Sequence, residues 1–170
     1  MLDEKSLIEE AGVEADVQQD KYLTFVINGQ DYGIDIRYVT EIIGIQKITE
    51  LPELLNFVKG VINLRGKVIP IIDVRLRFGF PEREYDERTC IIVVDMNESS
   101  IGLVVDSVNE VLDIPSSQID PPPKVKKGKE NRFIQGLGKV EDSVKILLDV
   151  HKLLFDEELE AIESALAGQE

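Results

Sequence analysis

The chain has no tryptophan, one cysteine and one histidine in 170 residues. A single cysteine, Cys90, makes no internal disulfide, which fits a reducing compartment, and it reads as a small apolar strand residue. The single histidine, His151, has no nucleophile near it in sequence, so nothing marks it as a catalytic base. No apolar run approaches the roughly 20 residues that a spanning helix needs. The N-terminus lacks a basic stretch followed by an apolar one, so no secretory leader is read there and a cytoplasmic location is expected. Basic residues are also scarce: 19 Lys and Arg face 33 Asp and Glu, for a net charge of −14. That field opposes nucleic acid and argues against direct contact with an anionic membrane. No loop has the oxygen-ligand spacing of a hard-metal site. No glycine-rich loop precedes a helix, since Gly136-Leu137-Gly138 falls in a predicted hairpin. The expectation is therefore no catalytic residue, no metal and no cofactor.

Apolar residues are plentiful, at 43%, and most sit in short β-branched runs. The stretch 57–80 organises the chain. Two such runs flank Arg65-Gly66, and Gly66 can take the positive φ that a tight hairpin turn requires. The second run stops at Asp73, a good helix N-cap, and a short helical turn is predicted until Gly79. An arginine thus stands at the tip of an apolar hairpin, beside Asn63.

Upstream, residues 1–20 are acidic and too sparsely apolar for a packed helix, so they read as a mobile tail, with a short docking helix as the alternative. Residues 22–27 and 31–36 read as strands joined by Asn28-Gly29. Residues 37–43 read as a brief helical turn or bend; Ile36, Val39 and Ile42 recur every three residues, near one face of such a turn. A strand is predicted over 44–48 and a loop over 51–56. The polar segment 81–88 reads as a connector. Residues 89–96 lack polar alternation, which predicts a strand buried on both faces, and 101–105 returns from it.

This order recurs. Gly33, Val39 and Glu41 match Gly102, Val108 and Glu110, each 69 residues apart (33 to 102). Phe57, Gly60 and Asp73 match Phe133, Gly136 and Asp149, each 76 apart (57 to 133). The added length falls in a Pro- and Lys-rich loop over 121–130. Each unit holds about five short strands, and so small a sheet buries its face and edges best by closing. The predicted fold is mainly β: two small barrels packed together, with short connecting helices. After Asp149 an amphipathic stripe of Leu153, Leu154, Leu159, Ile162 and Leu166 predicts a helix over 150–170.

With so little chemistry on offer, two features remain as candidate binding surface. One is Arg65, with Glu41 upstream; a solvated turn residue is the plain alternative. The other is the row Ile36, Val39 and Ile42 with Val108; ordinary core is the alternative.

The motifs Tyr32-Gly33-Ile34-Asp35-Ile36, Val39-x-Glu41-Ile42 and Gly60-Val61-Ile62-Asn63-Leu64-Arg65-Gly66, then Ile69-Pro70-Ile71-Ile72-Asp73, resemble the CheW-like domains of bacterial chemotaxis. Ile101 to Val108 resembles their second half. The likeness covers about residues 21–155, read as one domain of two repeats (about 21–80 and 88–150), with strands exchanged between them as an open alternative. It implies two SH3-like five-stranded barrels with a hydrophobic groove between them, and no catalytic activity. Partners implied are the cytoplasmic tip of methyl-accepting chemoreceptors and the regulatory domain of the CheA histidine kinase, within arrays at the cytoplasmic face of the membrane. Carried over by motif, Leu23, Ile36, Val39, Ile42 and Val108 would line the receptor groove, and Glu41, Arg65, Asn63 and Gly60 would serve coupling. Because Arg65 lacks a counterpart arginine in the second unit, it is expected to serve function rather than the turn, for which Gly66 suffices. A CheW-like domain of a CheA or CheV-type protein remains an alternative, although a CheV-type chain would continue into a receiver domain. From other classes, a small-ligand-binding β-barrel and a metal-dependent hydrolase remain.

Overall fold

The structure, a computed structural model, describes residues 19–52, 55–96, 99–122 and 132–154. The N-terminal tail over 1–18, the lysine-rich loop and the helical stripe beyond Leu154 lie outside the described residues. The elements in chain order are β1 (Lys21–Ile27), β2 (Gln30–Asp35), a 3-10 turn (Ile36–Tyr38), β3 (Val39–Gly44), β4 (Val58–Leu64), β5 (Lys67–Asp73) and α1 (Val74–Arg77). Then follow β6 (Cys90–Met96), β7 (Ser99–Val105), β8 (Ser107–Asp113), a 3-10 turn (Ser116–Gln118), β9 (Ile119–Asp120), β10 (Ile134–Val140), β11 (Ser143–Leu148) and α2 (Val150–Leu154).

These strands form two sheets, in the orders β8-β1-β2-β11-β10-β9 and β3-β6-β7-β5-β4. Each sheet draws on both halves of the chain, so the sequence repeat is not the structural unit. The exchange obeys the repeat offsets. Gly33 pairs with Leu147 across the parallel β2–β11 contact, and Gly102 pairs with Ile71 across β7–β5. Val108 opposes Phe25 as Val39 opposes Val94.

Hydrogen bonding leaves both sheets open, but the chain curls them. In the first sheet the edge strands β8 and β9 are joined by residues 114–118. Six flat strands at about 4.8 Å spacing would put those edges about 24 Å apart. Six Cα steps reach at most about 22 Å when fully extended, and three of these residues form a 3-10 turn. The edges must therefore approach each other. In the second sheet, β3 ends at Gly44, and Thr49 already pairs with Val61 on the opposite edge strand β4. Both sheets are thus barrel-like.

Alternation along the strands gives the second sheet two buried faces. Ile92, Val94 and Leu103 join Leu23, Phe25 and Ile34 in the large core shared by the sheets. Ile91, Val93 and Val104 pack with Ile62, Ile69 and Ile71 in a smaller core of their own. The prediction that 89–96 is buried on both faces matches β6, which lies between β3 and β7. At equivalent places in the two units, the Asp73 and Asp149 amides donate to the carbonyls of Phe57 and Phe133 at 2.8 and 2.7 Å. The buried Arg77 guanidinium lies between those two rings, 4.5 and 4.6 Å from their centroids, and donates to the Leu153 carbonyl of α2.

Two local expectations are corrected. Residues 39–43 are not a helical turn but strand β3, following a single 3-10 turn capped by Asp35. Val39, Thr40, Ile42 and Ile43 are β-branched and favour extended backbone. Their spacing of three came from a register shift between Val39 and Glu41, which brings Val39 and Ile42 to one side. Residues 44–48 are correspondingly not a strand; only Gly44, the end of β3, and the bridge at Thr49 pair.

Candidate functional site

The Arg65 hairpin has a two-residue loop in which both residues have positive φ, 51° at Arg65 and 85° at Gly66. That is the geometry of a type I′ turn. Gly66 alone therefore does not make the turn: Arg65 occupies the left-handed region as well. Asn63 supports it, its side-chain oxygen accepting from the Gly66 amide at 2.8 Å. Gly60 is required lower in β4. Its φ is +140°, and an added Cβ would stand 2.1 Å from the Thr49 carbonyl oxygen. Residue 49 can close on β4 only because position 60 has no side chain. Asn63 and Gly60 thus have structural roles in the strand that presents Arg65.

The Arg65 guanidinium donates to the Glu41 carboxylate, which comes from edge strand β3. The pair spans 24 residues and joins the two edges of the second sheet. Arg65 is largely exposed and Glu41 is half-buried. The hydrogen bond to Glu41 holds the guanidinium in its charged form, raising its pKa above the ordinary arginine value. In the second unit the corresponding turn is Glu141-Asp142, with Glu141 at φ 54°, and Glu110 stands for Glu41. Two carboxylates occupy the places of the ion pair, so the pair is not a by-product of the repeat.

The apolar row falls into the shared core. Leu23 is fully buried, and Ile36, Val39 and Ile42 are 2%, 8% and 5% exposed. Val108 is half-buried against the same cluster, with Val111 beside it. The structure thus brings all five predicted residues into one cluster. The partly buried members of that cluster include Val108 and Val111 of edge strand β8, while Val39 and Ile42 of β3 are buried. Val111 was missed from sequence, although it stands 69 residues after Ile42 and the repeat pointed to it (42 to 111).

A polar cluster that no motif signalled stands where β7 passes into β8. Asp106, 13% exposed at its side chain, accepts from the Asn28 amide at 2.8 Å and from Arg75 Nη2 at 2.9 Å and Nε at 3.3 Å. Arg83 Nη1 approaches it at 3.3 Å. Arg75 also donates to the Asn28 side chain and the Pro81 carbonyl at 3.2 and 3.3 Å.

Asp35, Asp95 and Asp149 are dispersed among separate partners. Asp35 pairs with Arg37, Asp95 accepts from Ser100, and Asp149 caps α2 through the Lys152 amide. Buried Asp73 caps α1 through the Leu76 amide and accepts from the Tyr85 hydroxyl at 2.8 Å. Burial raises the Asp73 carboxyl above its ordinary range, against the pull of those hydrogen bonds, and burial beside Asp73 raises the Tyr85 hydroxyl. Among the described residues no group of three His, Cys, Asp or Glu is placed to hold a metal. His151 lies exposed on α2. No helix among the described residues is long and apolar enough to cross a membrane.

Comparison with known proteins agrees with this architecture. The family model described as "CheW-like domain" matches residues 21–158. The chain is 38% identical over 144 residues to chemotaxis protein CheW of Klebsiella aerogenes, covering 85% of this chain and 87% of that one. It is 32% identical over 150 residues to CheW of Bacillus subtilis, covering 88% and 94%. Chemotaxis protein CheV3 of Helicobacter pylori is 28% identical over 128 residues, which cover 41% of that protein. The crystal structure of the scaffolding protein TtCheW from Thermoanaerobacter tengcongensis superposes with a TM-score of 0.75 at 37% identity, over 82% of this chain and 94% of that one. The exchanged barrel-like sheets, the Gly60-to-Gly66 motif in its hairpin and these likenesses together place the chain in the CheW family.

Proposed function

We propose that the protein is a scaffold that couples chemoreceptors to the CheA histidine kinase and works by binding alone. The cytoplasmic tip of a methyl-accepting receptor occupies the apolar groove bounded by β3 and β8, with Val108 and Val111 at its accessible wall. Val39, Ile42 and Ile36 form its floor, with Leu23 packed behind. A receptor helix would dock there through apolar anchors. The CheA regulatory domain meets the surface carrying Arg65 and Glu41, which Asn63 and Gly60 hold in shape. The complex sits at the cytoplasmic face of a receptor array.

One observation carries this reading: a surface ion pair that closes one sheet's edges and is replaced by two carboxylates at the equivalent place. A fold that needed the pair would need it twice. The test is a titration of the protein with the CheA regulatory domain and, separately, with a receptor-tip coiled coil from the same organism. Saturable binding of both is expected. Failure to bind either would reject the coupling role.

A further inference from the structure

The Arg75–Asp106 cluster lies next to the proposed groove and is not part of it. Asp106 is the residue between β7 and β8, two positions before Val108. β8 is an edge strand, and among the described strands its backbone ladder runs to β1. The ladder holds β8 to β1 up to Ser107, opposite Val26, and the residue just before it is held by further contacts from outside that ladder. Here one carboxylate gathers the β1–β2 turn through Asn28, helix α1 through Arg75 and the connector through Arg83. The Asp106 amide adds a bond to the Val26 carbonyl at 3.1 Å.

The equivalent corner before β3 is built differently. Position 37 corresponds to 106 (69 apart), and Arg37 there is exposed and paired only two residues away, with Asp35. Arg75 corresponds to His151 (76 apart), which lies exposed on α2. The β3 wall of the groove therefore starts from a local turn. The β8 wall starts from a long-range, largely buried clasp.

We infer that Arg75 and Asp106 are positioning residues that set where β8, and with it Val108 and Val111, stands against the β3 side of the groove. They govern receptor binding without touching the receptor. This rests on the groove reading of the preceding section. The clasp depends on the planar guanidinium, because Arg75 serves Asp106, Asn28 and Pro81 at once. A lysine keeps the charge but offers one point of attachment in place of the fork. Arg75→Lys thus loosens the clasp without leaving Asp106 facing no cation. Asp106→Asn is the complementary change, retaining an acceptor for the Asn28 amide.

The experiment compares wild type, Arg75→Lys, Asp106→Asn and Val108→Glu in the full chain. Amide hydrogen exchange is followed in β8 and, as internal control, in β3. Binding is titrated with a receptor-tip coiled-coil peptide and with the CheA regulatory domain. In Arg75→Lys, exchange in β8 is expected to rise about tenfold while β3 is unchanged, because edge strands open locally. Affinity for the tip falls severalfold, and affinity for the kinase domain stays the same. Equal acceleration of β3 and β8, or loss of both affinities together, would show only general destabilisation and overturn the inference. So would unchanged tip binding by both clasp variants while Val108→Glu abolishes it, an outcome that leaves the groove standing. Normal tip binding by folded Val108→Glu rejects the groove and the clasp's role with it. Should Asp106→Asn fail to fold, Arg75→Lys decides alone.

Discussion

Arg65 combines an exposed charge with a strained backbone, and the two can be separated. Alanine has the same Cβ and meets the same left-handed conformation, so Arg65→Ala removes the ion pair and leaves the turn's backbone cost in place. The melting temperature should change little, because exposed pairs contribute little to stability. Binding to the CheA domain should weaken, and Glu41→Gln should weaken it too. The double variant is expected to lose less than the sum of the two, which a double-mutant cycle on the binding constants measures. Full loss of the folded state in Arg65→Ala would make the residue structural instead.

Asp73 presents the opposite case, a buried carboxyl whose surroundings disfavour its charge. Its folded pKa lies above the unfolded value. As pH rises between the two, the unfolded state releases its proton first and the folded state retains more. Stability contributed here is therefore present at low pH and falls as pH rises through that window. Asn caps helices about as well as Asp. Asp73→Asn should leave stability at neutral pH within about 1 kcal/mol of wild type and remove this acid-side slope. Urea unfolding from pH 3 to pH 7 checks both. A steeper fall in stability on acidification than in the wild type is also expected, since the opposing contribution is gone.

Among the elements, the β4–β5 hairpin depends on a close approach that no side chain could permit. Gly60→Ala would drive a Cβ into the Thr49 carbonyl from a backbone conformation nearly reserved for glycine. It should cost about 3 kcal/mol or more, combining backbone strain with a displaced edge. Gly44, at the end of β3, has no heavy atom within 4 Å of an added Cβ, so Gly44→Ala serves as the control and should stay within about 0.5 kcal/mol. Chemical denaturation of both variants separates a general intolerance of the sheet edge from this one contact. The hairpin was legible in sequence because turn chemistry is local. The β3 strand was misread because a bulge gives a strand the period of a helix face over a short run.

At the scale of the molecule, exchange between the halves makes each sheet depend on both. β1 and β2 find their neighbours in β8 and β11, and β4 and β5 find theirs in β7. A fragment of residues 1–88 or 89–170 therefore exposes the strand faces its partner should cover. Each fragment alone is expected to be unfolded by circular dichroism, and mixing them should restore β signal and a cooperative transition. Independent folding of either fragment would mean the repeats are self-sufficient. The halves are also unequal. Where the second sheet has Ile62, Ile69 and Val93 in its own core, the first has Gly138, Lys145 and Thr24 at the corresponding offsets.

The repeat, the mainly β content, the two aspartate caps and the place of Arg65 at a hairpin tip follow from sequence because each rests on residue type, spacing or local turn chemistry. Composition likewise set the acidic field and the poverty of reactive groups. Which half each strand pairs with was open until the sheets were seen, since equivalent strands present similar apolar faces and local pattern cannot choose between near-identical neighbours. The Arg65–Glu41 contact, the gathering of Val39 and Val108 into one core and the Arg75–Asp106 clasp were decided the same way. Each joins residues 24 or more apart, and only the closing of curled sheets brings such distant positions within reach.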